Sequence, residues 1–201
     1  MGQSTSALTL DPTHGGFTLF PGGEPLALCL YDGLLGVDAN MRLIPQLARA
    51  YAMSPNPMTC ALTLRPRVLF HDGTPLDAAA VTLHLKRLMS PQRNSSNRQL
   101  WDKLAAVEAP NTDTIIIRTN VPFPQLPRAL AHPSGVLVSA AAITSFGDDH
   151  IAAHRVGAGP YRLTSFAPAP DVVLEPFEAY WAGRPPLAHL RFTTISPCHR
   201  R

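Results

Sequence analysis

The sequence predicts an α/β fold with many short strands and few long helices, and two stretches and the composition carry that expectation. Leu62–Met89 reads as a strand, a tight turn and an amphipathic helix. Thr114-Ile115-Ile116-Ile117-Arg118-Thr119 is a β-branched run of the kind that favours a pleated, half-buried surface. The 21 prolines among 201 residues break the chain too often for long helices to dominate.

Composition bounds the class. With 45% hydrophobic and 15% charged residues the chain can bury a core, as one domain or as a core with an inserted lobe. The net charge of +3 comes from scattered arginines with no basic run, so nucleic acid is not expected as a partner. Cys29, Cys60 and Cys198 lie far apart and form no CxxC pair, so neither a zinc site nor a disulfide framework is signalled; Cys29 reads as a small buried hydrophobe. No apolar window is long enough for a membrane span, and no charged n-region with an apolar h-region stands at the start, so no signal peptide is expected. Gly2 and Ser6 match a myristoylation pattern too short to carry weight.

In chain order, Ala7–Leu10 is a strand that Asp11-Pro12 ends, and a glycine and proline loop follows. Glu24-Pro25 opens a helix that closes near Tyr31-Asp32-Gly33, acid and proline both suiting a helix start. Leu34–Val37 and Met41–Ile44 flank a hairpin turn at Asp38-Ala39-Asn40, Gln46–Tyr51 reads as a helical turn, and Cys60, Leu62 and Leu64 alternate as a strand should. Val68-Leu69-Phe70 is a short strand turned back by His71-Asp72-Gly73-Thr74-Pro75. Asp77 caps the helix whose Val81, Leu85 and Leu88 form one apolar stripe ahead of Lys86 and Arg87. Leu100, Trp101, Leu104 and Val107 have the spacing of another helix. Leu126–Ala131 and Ala140–Phe146 read as helical, Gly135–Ser139 as a strand, and Tyr161–Leu163, Asp171–Leu174 and Leu190–Ile195 as closing strands.

Chemistry-bearing groups are sparse. His71 beside Asp72 invites a general base, but neighbours on a turn rarely face one another, and an Asx-type turn is the better reading. His150 and His154 share a helical spacing without the glutamate or third ligand of a metal site. Gly157-Ala158-Gly159-Pro160 lacks the Lys-Ser/Thr of a phosphate loop and reads as a tight turn, and no GxSxG frames a serine nucleophile. No catalytic residue, metal or cofactor is therefore expected. Trp101 and Trp181 remain as indoles able to line a ligand pocket.

Several segments, in order, resemble one family. They are Leu10-Asp11-Pro12, Tyr31-Asp32-Gly33-Leu34-Leu35, Leu43-Ile44-Pro45-Gln46-Leu47-Ala48 and Phe70-His71-Asp72-Gly73-Thr74-Pro75-Leu76. Val156-Gly157-Ala158-Gly159-Pro160-Tyr161 and Tyr180-Trp181-Ala182-Gly183-Arg184-Pro185-Pro186 complete the set. Together they are similar to the bacterial extracytoplasmic solute-binding proteins of oligopeptide, dipeptide and nickel type, which deliver ligand to ABC importers. The resemblance implies a periplasmic-binding-protein-like type II lobe built from residues 1–45 and 156–201, with an α+β subdomain inserted at 46–155. It also implies that the second lobe is missing, since family chains are more than twice as long. Cys198-His199-Arg200-Arg201 fits no family pattern, so a truncated or frameshifted reading frame, or a fragment, is expected.

By the same resemblance the protein is a monomeric, non-enzymatic binding component with a peptide ligand, importer membrane subunits as partners and a periplasmic location. Ligand contacts are expected at Trp101, Leu28, Tyr31, Gly159 and Tyr161. The arginine that nickel-binding members use has no counterpart around His132–Val138, so peptide is favoured over a nickel complex. The alternatives are the sensor region of a transcription regulator, against which no helix-turn-helix precedes Leu8, and a small hydrolase using His71 and Asp72.

Overall fold

The computed structural model describes residues 23–91, 97–147, 155–166 and 171–193. The expected strand at Ala7–Leu10, the glycine and proline loop after it, the His150/His154 pair and most of the polar loop after Pro91 lie outside these residues.

Helix α1, Gly23–Leu30, leads into a small antiparallel pair, β1 (Leu35–Val37) and β2 (Leu43–Pro45). Their turn is closed by Asp38, whose Oδ1 accepts from the amides of Asn40 and Arg42, both at 2.8 Å. The central sheet has the order β3–β4–β6–β5, all antiparallel, from β3 (Ala48–Met53), β4 (Thr59–Leu64), β5 (Leu104–Glu108) and β6 (Thr114–Thr119). One face carries Cys60, Leu62, Leu64, Ile115 and Ile117, and against it packs α2, Ala78–Met89, with Val81, Leu85 and Leu88 all buried. Full burial of such side chains stabilises by roughly 1.5–3 kcal/mol each. The cap is as expected: Asp77 Oδ1 accepts from the Ala80 amide at 2.8 Å. Residues Lys86 and Arg87 stand in the last turn.

Short helices α3 (Arg98–Trp101), α4 (Leu126–Leu130) and α5 (Ala140–Phe146) follow, with a 3-10 turn at Pro133–Gly135 before α5. A third antiparallel sheet, β7 (Tyr161–Phe166), β8 (Asp171–Pro176) and β9 (Leu190–Thr193), closes the described chain. A second apolar cluster joins Leu26, Ala27, Leu30 and Tyr31 to Val136, Val138, Ala142, Tyr161 and Leu174.

Four expected elements differ. Gln46–Tyr51 is not helical: Ala48 onward pairs with β4 as an edge strand, so tertiary pairing overrides alanine's helix propensity. Leu104 and Val107 belong to a strand, and a bulge between Leu104 and Ala106 turns two residues three apart onto the same buried face. Gly135–Ser139 forms no sheet; Gly135 closes the 3-10 turn, and the passage after it is tied by Leu137 N–H to the Asp32 carbonyl and Ser139 N–H to the Val156 carbonyl, both at 2.9 Å. Val68–Phe70 is reduced to one bridge, Leu69 with Pro75.

Candidate functional site

The family-like segments, apart from Leu10-Asp11-Pro12 outside the described residues, converge around the C-terminal end of α1. The turn at His71 is tied to the small-residue loop at 157–159. Gly157 N–H donates to His71 Nδ1 at 3.3 Å, His71 Nε2 donates to the Gly159 carbonyl at 3.0 Å, and the His71 amide donates to the Gly157 carbonyl at 2.9 Å. The loop in turn lies on α1. Gly159 N–H donates to the Leu30 carbonyl at 3.1 Å, and a Cβ on Gly157 would stand 2.1 Å from that carbonyl oxygen, so no larger residue fits.

Asp72 faces elsewhere. Its carboxylate accepts from Ser139 Oγ and Thr74 Oγ1, both at 2.6 Å, and Ser139 also caps α5 through the Ala142 amide. These hydrogen bonds hold its pKa below the usual range despite partial burial. His71 and Asp72 therefore serve two separate ties and form no acid–base pair, as the turn reading anticipated.

A second tie is formed by Asp32. Its Oδ2 accepts from Trp181 Nε1 at 2.7 Å and Tyr180 Oη at 2.9 Å, and its backbone carbonyl holds Leu137. Burial pushes the Asp32 carboxyl up to about 6, against the opposing pull of the two donors. Trp181 also lies beneath the Arg65 guanidinium, 4.4 Å from its ring centroid, and so acts as a structural strut.

The five expected ligand residues fall in two places. Leu28, Tyr31, Gly159 and Tyr161 share the α1 neighbourhood, and Trp101 sits in the central core. Leu28 alone among them is open, 54% exposed beside half-buried Cys29, whose thiol burial pushes up in pKa. Tyr31 is buried, Gly159 is engaged by its own hydrogen bonds, and Tyr161 Oη accepts from the Leu187 amide at 3.3 Å. Trp101 is fully buried with its ring edge against Gly135, where an added Cβ would lie 2.8 Å from Cη2. Its indole N–H finds no partner among the described residues. The 3-10 turn bridges the two places, since Gly135 meets Trp101 while the turn itself packs on α1.

Sequence reasoning missed the Asp32, Gly135 and Ser139 ties. Asp32 and Tyr180 were legible only as members of family-like segments, and Trp181, expected as an indole able to line a pocket, instead ties Asp32. Among the described residues no cluster of three or more metal-ligating side chains occurs, and no helix is long and apolar enough to cross a membrane.

Comparison with known proteins identifies the fold and the family. The glutathione-binding protein GsiB of Pectobacterium atrosepticum is 37% identical over 188 residues, covering 93% of this chain and 36% of the relative; the chain thus spans about a third of the length of its relatives. Among solved structures, AgaA of A. tumefaciens R10 in complex with agropinic acid superposes with a TM-score of 0.85 at 27% identity, over 92% of this chain and 37% of that one. NikZ of Campylobacter jejuni in complex with Ni(L-His) shares the fold at a TM-score of 0.84 and 21% identity, over 95% and 38% respectively. Its fold is thus the α/β architecture of the type II periplasmic binding proteins. A family model described as bacterial extracellular solute-binding proteins, family 5 Middle, matches residues 42–200, and the chain belongs to that family.

Proposed function

We propose that this chain supplies one wall of the ligand cleft in the substrate-binding component of an ABC importer, working in the periplasm and taking a short peptide or peptide-like ligand. The observation that carries the reading is the 37% identity to a glutathione-binding protein across 93% of the chain, because glutathione is itself a tripeptide. The arrangement of α1, the 3-10 turn and α3 supports it. Leu28 offers an exposed apolar contact, and the buried Trp101 indole, whose N–H has no partner among the described residues, packs on the 3-10 turn that rests on α1. In this reading residues 1–45 and 156–201 form the lobe and 46–155 the inserted subdomain. The strands β3 to β6, which pair only with one another, are in keeping with that division, although their core also takes in Leu34, Leu35 and Ala158.

A single wall leaves much of the ligand in water, so affinity of this chain alone is expected to be weak, with a Kd on the order of 1 mM or above. The test is an NMR titration of the chain with reduced glutathione, trialanine and the nickel–histidine complex. Glutathione or trialanine is expected to shift Leu28, Cys29 and the Trp101 indole N–H in the millimolar range. Response to the nickel complex alone, or to none of the three, would refute the peptide reading.

A further inference from the structure

We infer that His71 is an acid-sensitive latch: while neutral its ring holds both Gly157 and Gly159 of the loop that rests on the end of α1, and on protonation it loses its hold on Gly157. The hydrogen-bond pattern fixes the state of the ring. A carbonyl can only accept, so Nε2 facing Gly159 O carries the proton; an amide can only donate, so Nδ1 facing Gly157 N is bare. The neutral Nε2–H tautomer alone satisfies both. A second proton on Nδ1 would point at the Gly157 N–H, and that bond would be lost.

The groups around the ring leave few ways to accommodate the charge. Asp72, next in the chain, is engaged with Ser139 and Thr74, and its charge favours the imidazolium less than Arg162 opposes it. Arg162 on β7 pairs with Glu175 at 2.7 Å, and its charge opposes a second cation nearby. Phe177 stands at 5.0 Å with its ring at 74° to the imidazole, while the Arg155 backbone gives a minor pull the other way. Burial is the largest influence, and the imidazole is held down to about 4. Beyond the His71 ties, one hydrogen bond, Gly159 N–H to Leu30 O, joins the loop to α1. Loss of the Gly157 N–H to Nδ1 bond, with the His71 amide to Gly157 carbonyl and Nε2–H to Gly159 carbonyl bonds kept, therefore loosens the loop first at Gly157, beneath the helix that carries Leu28.

The latch is tested on the 201-residue chain without any ligand, so its outcome is independent of the peptide reading. Histidine ring nitrogen shifts and amide exchange are followed by NMR between pH 7 and about 3.5. The expected result is an Nε2–H tautomer at neutral pH and a His71 midpoint near 4. The protection factor of Gly157 should fall about tenfold or more across the same step and that of Gly159, whose amide goes to the Leu30 carbonyl, by less, while Ile115 and Ile117 in β6 keep theirs. His71→Phe keeps a ring beside Phe177 and removes both ring hydrogen bonds, and should show the weakly protected glycines already at pH 7. A His71 midpoint close to that of a free imidazole, glycine amides that stay protected through the titration, or all amides failing together would each overturn the latch. If His71→Phe does not fold, the wild-type titration decides alone.

Discussion

Trp181 donates its indole N–H to Asp32 Oδ2 at 2.7 Å across 149 positions of sequence. That bond closes a ring of contacts: Trp181 lies under Arg65, Arg65 Nε donates to the Gln46 carbonyl, and Gln46 Oε1 accepts from the Gly33 amide at 3.2 Å, beside Asp32. The ring joins α1, the approach to β3, the end of β4 and the Tyr180–Trp181 turn, so a buried carboxylate holds four separate segments in register.

Its ionisation has a measurable sign. Burial raises the Asp32 carboxyl to about 6 in the folded chain, above the 3.8 of an unperturbed side chain. Between these values the folded state binds more protons than the unfolded one, so this group's contribution favours folding as pH falls through about 6 and opposes it above. The full effect is up to about 3 kcal/mol. Asp32→Asn keeps an acceptor for Trp181 and Tyr180 without the charge. Urea unfolding should therefore find the variant gaining on wild type at pH 7.5 and keeping only about half of that advantage at pH 5. A stability gap between the two that is independent of pH would remove the buried-charge account.

Two glycines serve opposite purposes, and substitution separates them. Gly73 has φ +79° with nothing within 4 Å of an added Cβ, so Gly73→Ala meets only backbone strain of about 1–2 kcal/mol. Gly157 would drive its Cβ to 2.1 Å from Leu30 O and 2.5 Å from Tyr31 Cδ1. Backbone cannot yield as a side chain can, so Gly157→Ala should cost more than the roughly 1–3 kcal/mol typical of overpacking. Thermal unfolding should rank Gly157→Ala well below Gly73→Ala, and equal losses would mean the loop does not rest on α1 as described.

At Gly135 the obstacle is the Trp101 ring, with Cη2 2.8 Å and Cζ2 3.2 Å from an added Cβ. A ring can shift where a carbonyl cannot. Gly135→Ala should cost about 1–3 kcal/mol and move the indole toward water. In a Trp181→Phe background, which leaves Trp101 as the sole indole, its emission should shift to the red. Unchanged emission would show that the turn, and not the ring, gives way.

What could be read in advance follows the range of the forces involved. Helix α2 was legible because its Asp77 cap and its Val81, Leu85 and Leu88 stripe are local. The strand at Leu104–Val107 was misread as helix because a bulge reproduces helical spacing, and Ala48–Met53 because only its partner β4 makes it a strand. The family-like segments named the neighbourhood of the candidate site. Their hydrogen bonds could not be foreseen, because Asp32 with Trp181 and His71 with Gly159 meet only in three dimensions.

Leu28 separates stability from binding. It is 54% exposed on a helix whose other face, Leu26, Ala27 and Leu30, is in the core. A surface change there should alter stability by no more than about 0.5 kcal/mol. If α1 faces the ligand, Leu28→Asp places a desolvated charge against an apolar contact and should weaken binding well beyond that. The expected outcome is an unchanged urea midpoint together with loss of the Cys29 and Trp101 shifts that glutathione or trialanine produces in wild type. Retention of those shifts would move the ligand contact away from α1. Loss of both folding and binding would instead make Leu28 a structural residue, contrary to its exposure.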